Sequence, residues 1–297
     1  MSWEETLTSW AQGPSNTEKE KAKNAENVIC EALNNDAELA KMNILVFAQG
    51  SYKVRTNVRQ DSDVDICILN RDQVFPTYEE RVTQDGVGLV DSDFTYTQFK
   101  DMVQKALIKR FGSGVTRGNK AFDVHANTYR LDADVVPAFE HRRYTGNVDN
   151  RGNYLFHKGI AFNPDNGIRI INWPDQTHFN GKEKHVRTLR KYKKAIRILK
   201  QLRNVMQEKN ITAANDIGSF VIESMVWNVP DDDFIKNNYT DMMRNVLAYI
   251  FNETMSKEKC EEWGEVNELK YLFKFDEPKR IKAHNFISEA WDYIGFN

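Results

Sequence analysis

The chain has 297 residues, of which 40% are hydrophobic, 28% charged and 11% aromatic, and a formal net charge of −2. That length suits one large domain or two lobes with ample apolar residue for a core, and the aromatic content excludes dominant disorder. Near-neutrality argues against a protein that coats duplex nucleic acid, and no apolar run nears the ~20 residues of a membrane span. The acidic N-terminal residues lack a hydrophobic signal core, and Cys30, Cys67 and Cys260 fit neither a disulfide framework nor a CxxC half-site. A reduced, cytoplasmic protein is expected.

Taken in chain order, Thr17 and Glu20 have capping-box spacing, and Ala22, Ala25, Val28, Ile29, Ala32 and Leu33 recur at helical spacing behind them. A first helix is expected over residues 17–34. Ile44 to Ala48 reads as a strand ending at Gln49-Gly50-Ser51, and Val64 to Leu69 as a second strand. Residues 96–111 read as a helix with Phe99, Val103, Ala106, Leu107 and Phe111 on one face. Further strands are expected at 122–126, 129–139, 160–162 and 168–171, the last two joined by a turn at Pro164-Asp165-Asn166-Gly167. From about residue 183 the pattern is helical. One stripe is Val186, Leu189, Ile196, Leu199, Leu202 and Met206; others are Ile217 to Met225, Met243 to Phe251 and Ile281 to Ile294. The fold class is α+β: a mixed sheet with flanking helices, followed by a helical lobe.

The chemistry concentrates at Gly50-Ser51 and Asp63-Val64-Asp65-Ile66. Residues two apart in a strand share a face, so Asp63 and Asp65 project together while Val64 and Ile66 point inward. Adjacent carboxylates repel unless a cation lies between them, and Mg²⁺ favours oxygen ligands. Gly50 lets the backbone approach a bulky anion, and the Ser51 hydroxyl and following amides can donate to phosphate. A third carboxylate is expected on the run from Arg130 to Phe139, where Asp134 opens the apolar stretch Val135-Val136 and Asp132 is the outer choice. Phosphate donors beside metal-binding carboxylates are the equipment of phosphoryl transfer.

The ordered set Gly50-Ser51, Asp63-Val64-Asp65 and Asp134 resembles the signature of DNA polymerase β-like nucleotidyltransferases. The run from Gln49 to Asp65 is similar to that of the bacterial cGAS/DncV-like nucleotidyltransferases (CD-NTases), in particular the CdnE clade. Asn172-Trp173-Pro174, Ser219-Phe220 and Trp227-Asn228-Val229-Pro230-Asp231 resemble later segments of that clade. The resemblance implies a nucleotidyltransferase core over residues 1–182 with the N-terminal helix as a bridge, and a helical domain over 183–297 that closes the nucleotide cleft. It implies a cyclic dinucleotide synthase of anti-phage (CBASS) signalling. Asp63, Asp65 and Asp134 would hold two Mg²⁺ ions, with Mn²⁺ as the alternative, and Ser51 the donor triphosphate.

Ten basic residues run from Lys182 to Arg203; most are expected on a solvated face, while Arg197 and Lys200 resemble family positions on the helix behind the nucleotide and are expected to meet the triphosphates. Ser219 resembles a second triphosphate donor, and Phe220 either stacks on a base or packs in the core. Asn172 carries one acceptor and one donor edge, which can pair with uracil or with adenine, and it could also simply close a strand before Pro174. It resembles the clade's uracil-associated Asn, and that resemblance favours UTP and ATP as substrates and cyclic UMP–AMP or cyclic di-UMP as product. A downstream effector would sense the product. No membrane or stable nucleic-acid partner is expected, and the chain is expected to be a monomer. The alternatives are a linear synthase resembling oligoadenylate synthase, a small-molecule or tRNA nucleotidyltransferase, and an inactive nucleotide-binding scaffold.

Overall fold

The computed structural model describes residues 2–59 and 63–296; residues 60–62 of the run from Gln49 to Asp65 lie outside the described residues. The first half comprises α1 (Trp3–Trp10), α2 (Asn16–Asn34), β1 (Ile44–Ala48), α3 (Gly50–Val54), β2 (Val64–Thr77), α4 (Tyr96–Phe111), β3 (Val115–Arg117) and β4 (Phe122–Val124). Then come β5 (Ala133–Val148), β6 (Tyr154–Phe162), β7 (Ile170–Asn172), α5 (Pro174–Arg187), α6 (Tyr192–Glu208) and α7 (Ser219–Trp227). The chain ends with α8 (Asp231–Phe234), α9 (Tyr239–Thr254), α10 (Lys257–Cys260) and α11 (Glu277–Ile294). Residues 15–53 and 63–174 form one compact unit; residues 2–14, 54–59 and 175–296 form the other.

The first unit is built on a seven-stranded sheet of order β1-β2-β5-β4-β3, with β6 paired to β5 and β7 to β6. The β2–β5 pair is parallel and every other pairing is antiparallel. Successive residues Ile66, Cys67, Ile68 and Leu69 are all buried, as in a central strand covered on both faces. Ala25 and Ile29 of α2 and Phe99 and Val103 of α4 share one core with Val64, Ile66, Val135 and Phe139. The buried Lys100 of α4 donates to Asp165 Oδ1 at 2.8 Å, and Arg117 grips the same carboxylate. The Arg117 hydrogen bond, followed by those of Lys100, holds the Asp165 carboxyl down to about 2. The segment at 164–167 is thereby pinned to α4 as well as joining two strands.

The second unit is helical. The α6 residues Ala195, Ile196, Ile198, Leu199 and Leu202 pack with Met225 of α7, Val246 and Ile250 of α9 and Phe286 and Ile287 of α11. Among the described residues no helix is long and apolar enough to cross a membrane.

Several expectations shift. The capping box of α2 is Ser15 with Glu18, two residues before the expected pair, because Ser15 takes the extended cap conformation and Glu18 reaches back to its backbone amide. Helix α1, with its own box of Ser2 and Glu5, was not expected. Val186 and Leu189 leave the predicted stripe. Leu189 and Arg190 sit at positive φ between α5 and α6, and both Val186 and Leu189 are more than 60% exposed. Strand β7 begins at Ile170, with Ile168 exposed, and β2, β5 and β6 all run longer than expected.

Candidate active site

Register brings the sheet unit's carboxylates together. Asp65 of β2 lies opposite Asp134 of β5, and Asp134 lies opposite Asp123 of β4. Residues directly opposite on neighbouring strands share a face, so the three form one row, and Asp63 continues it two residues before Asp65. Burial, followed by the charges of Asp65, Asp123 and Asp63, raises the Asp134 carboxyl to about 6. A hydrogen bond to Asp123 also favours its proton. Asp132 turns elsewhere: its carboxylate accepts from the Ala126 amide at 2.7 Å, so it braces a loop. Asp123 was missed because a lone Asp in a three-residue strand has no sequence signal; only its register opposite Asp134 reveals it.

The donor set is all carboxylate oxygen, and a divalent cation would relieve the repulsion that raises Asp134. Among the described residues no group of three or more Asp, Glu, His or Cys side chains is arranged to hold a metal ion by itself. An open row of carboxylates fits Mg²⁺, which keeps water and substrate phosphates in its shell rather than an all-protein cage.

Gly50 opens α3, separated from β1 by Gln49, with φ +57°, a backbone conformation that suits glycine. It also lies against the acid row, since a Cβ at Gly50 would stand 2.1 Å from Asp65 Oδ2. The Gln49 amide donates to the Asp65 carbonyl at 2.8 Å, which ties the start of α3 to the acidic strand. Ser51, in the first turn of α3, is half-buried beside this junction. Gly50, Ser51, Asp63, Asp65 and Asp134 are therefore neighbours in one unit.

Asn172 ends β7 with its side chain exposed, opposite Ile160 of β6. The following Trp173 is 4% exposed, so this dipeptide pairs an accessible amide with a buried ring.

In the helical unit, Lys193, Arg197 and Lys200 recur at i, i+4 and i+7 on one stripe of α6. Arg197 donates to the carbonyls of Ala11 at 2.8 Å and Arg55 at 2.9 Å. Lys200, 2% exposed, donates to Glu223 Oε1 at 2.5 Å and to the Thr56 carbonyl at 3.3 Å. Both cations chosen from the sequence thus fasten the segment after α3 to α6. Lys193 differs. It is 6% exposed, its ammonium has no hydrogen-bond or ion-pair partner among the described residues, and burial and then Arg55 and Arg197 lower it to about 8. A lysine crowded by cations invites an anion, and the 193/197/200 spacing was the signal that could have found it. His185, lowered to about 4 by burial and by Lys193, is neutral at physiological pH.

Ser219 opens α7, and its hydroxyl accepts from Arg203 Nη1 at 3.1 Å. Phe220 is 45% exposed and outside the helical core, so the ring is available for stacking.

Residues 179–295 match the model of the cGAS/DncV-like nucleotidyltransferase C-terminal helical domain. The chain is 40% identical to the cyclic dipyrimidine nucleotide synthase CdnE of Legionella pneumophila, over 100% of this chain and 99% of that protein. It is 34% identical to the cyclic dipurine nucleotide synthase of Elizabethkingia meningoseptica, over 99% and 98%. The solved structure of the Rhodothermus marinus CdnE c-UMP-AMP synthase with Apcpp and Upnpp superposes with a TM-score of 0.82 at 28% identity, covering 98% of this chain and 97% of that one. With its α+β fold, acid row and helical unit, the chain is a nucleotidyltransferase that belongs to the cGAS/DncV-like family, among the CdnE cyclic dinucleotide synthases.

Proposed function

We propose that this chain joins two nucleoside triphosphates into a cyclic dinucleotide containing a pyrimidine, either cyclic UMP–AMP or cyclic di-UMP, as a second messenger of anti-phage (CBASS) signalling. The observation that carries the reaction class is the strand register that sets Asp65 opposite Asp134 with Gly50 against Asp65. Asp63, Asp65 and Asp134 hold the metals in this reading. Two Mg²⁺ ions, or Mn²⁺, supply activation of the attacking ribose hydroxyl and charge neutralisation of the triphosphate and leaving pyrophosphate. Gly50 clears room for the donor phosphates, and the Ser51 hydroxyl donates to them. Ser219 donates to the second triphosphate, and Arg197 and Lys200, with Lys193 on the same stripe of α6, supply the cations for the triphosphates. Phe220 stacks on a base, a contact worth ~1–3 kcal/mol.

The domain assignment belongs to the same reading: residues 1–182 as the catalytic core with the N-terminal helix as a bridge, and 183–297 as the helical part that closes over the nucleotides. The protein acts as a monomer in the cytoplasm, and an effector senses its product. Base choice rests on Asn172. Relatives named for dipyrimidine and for dipurine products lie at comparable identity, so similarity alone favours neither base. An exposed carboxamide can accept from uracil N3–H while donating to O4, and the resemblance of Asn172 to the clade's uracil-associated Asn is what favours UTP over a purine. The test is incubation with the four NTPs and Mg²⁺ followed by phosphatase. A small phosphatase-resistant product is expected. A ladder indicates a linear synthase and no product an inactive scaffold; either outcome overturns the proposal.

A further inference from the structure

Gly159 lies in β6 next to Ile160, the residue paired with Asn172, and it is buried. Its φ lies outside the left-handed region, so glycine is not required there for backbone conformation. Space is the requirement. A Cβ at Gly159 would stand 2.7 Å from the Asn172 carbonyl oxygen, 2.9 Å from Trp173 Cδ1 and 3.0 Å from Trp173 Nε1. The nearest of these atoms is backbone, so the methyl group cannot be accommodated by moving the end of a flexible side chain.

The Trp173 ring is held from other sides as well. His141, paired across the sheet with Gly159, presents its imidazole edge-on at 5.9 Å and 74°. That imidazole is itself fixed through Nδ1 to the Phe75 carbonyl at 2.6 Å. The Arg143 guanidinium lies 5.3 Å from the centroid of the same ring, within cation–π range. The indole therefore occupies a defined seat made by β5 and β6, and Asn172 is the residue directly before it. Its exposed amide inherits its place from this seat.

We propose that Gly159 is a positioning residue for nucleobase selection: the missing side chain lets Trp173 and the Asn172 backbone settle against β6, and this sets where the Asn172 amide meets the base. The proposal rests on the reading of Asn172 as the uracil-recognising group. An amide that accepts and donates to one base edge at once tolerates little displacement, because both bonds depend on the same plane. Moving the backbone that carries it weakens the discriminating contact while leaving the acid row on β2 and β5 intact.

The experiment compares Asn172→Ala, Gly159→Ala and the wild-type protein in equimolar NTPs with Mg²⁺, reading the base composition of the product by mass spectrometry and KM for UTP and ATP separately. Unfolding midpoints check that each variant is folded. Asn172→Ala is expected to lose the uracil preference. Gly159→Ala is expected to lower the ratio of uracil to adenine incorporation by roughly tenfold, through a raised KM for UTP with that for ATP little changed. Unaltered product from Asn172→Ala overturns the base-reading role itself. Altered product from Asn172→Ala with wild-type composition from a folded Gly159→Ala overturns the positioning role alone. Should Gly159→Ala fail to fold, Trp173→Phe loosens the same seat and carries the test with the same readout; unchanged product composition there overturns the proposal.

Discussion

Replacing Gly50 with alanine separates backbone cost from active-site cost. At φ +57° a Cβ carries a conformational penalty of roughly 1–2 kcal/mol. That penalty lowers the unfolding midpoint by roughly 2–3 °C in a chain of 297 residues. The larger consequence is local. The new methyl group would lie 2.1 Å from Asp65 Oδ2 and 3.0 Å from its carboxyl carbon, so the carboxylate must retreat by roughly 1 Å or more to reach ordinary contact near ~3.5 Å. A shift of that size in a group that orients reacting phosphates costs on the order of a hundredfold in rate. Pyrophosphate release at saturating NTP and Mg²⁺, measured on folded protein, should therefore fall about a hundredfold in Gly50→Ala. Asp65→Asn should lose turnover without the drop in midpoint. A folded Gly50→Ala with turnover within about threefold of wild type would refute the argument that Asp65 needs its place beside Gly50.

Three further outcomes follow from the charges. Asp134 is raised to about 6, so the folded state holds a proton that the unfolded chain has released, and this stabilisation is lost as pH rises through about 6. Scanning fluorimetry of metal-free protein should show the wild type losing stability relative to Asp134→Asn between pH 5 and pH 7, and Mg²⁺ should reverse the loss; a constant difference contradicts it. Lys193 is lowered to about 8, so its charge costs the folded state at neutral pH and less as the pH rises above 8. Lys193→Met should raise the unfolding midpoint more at pH 7 than at pH 10 while raising KM for NTPs about tenfold, and unchanged KM contradicts its phosphate role. Glu223→Ala strands the buried Lys200 ammonium and should cost about 3–5 kcal/mol in urea unfolding, most of it recovered when Lys200 is also made methionine.

The sequence was most informative where local rules act alone. Helix α4 matches the expected range of 96–111 because its apolar period and the Thr95–Gln98 cap agree. The acid pair at Asp63 and Asp65 was legible because strand alternation fixes it, and Asp134 because an apolar run marked its strand. The outer half of β5 was not legible: the expected strand stops at residue 139, yet Glu140 is buried against Arg142 and Lys158. Asp123 depends on which strand lies next to β5, which no local pattern reports. The fates of Lys193, Arg197 and Lys200 depend on the chain after α3, whose carbonyls take Arg197 and Lys200 and leave Lys193 facing other cations. Compact units assembled from discontinuous stretches are likewise invisible to a linear reading.

The central claim is tested most directly by the mass of the phosphatase-resistant product formed from the four NTPs and Mg²⁺ by the wild-type chain. A cyclic dinucleotide containing uracil, absent when Asp63 and Asp65 are both asparagine, is the predicted result. A dipurine cyclic product would contradict the role given to Asn172, and a linear oligonucleotide would contradict the cyclisation itself.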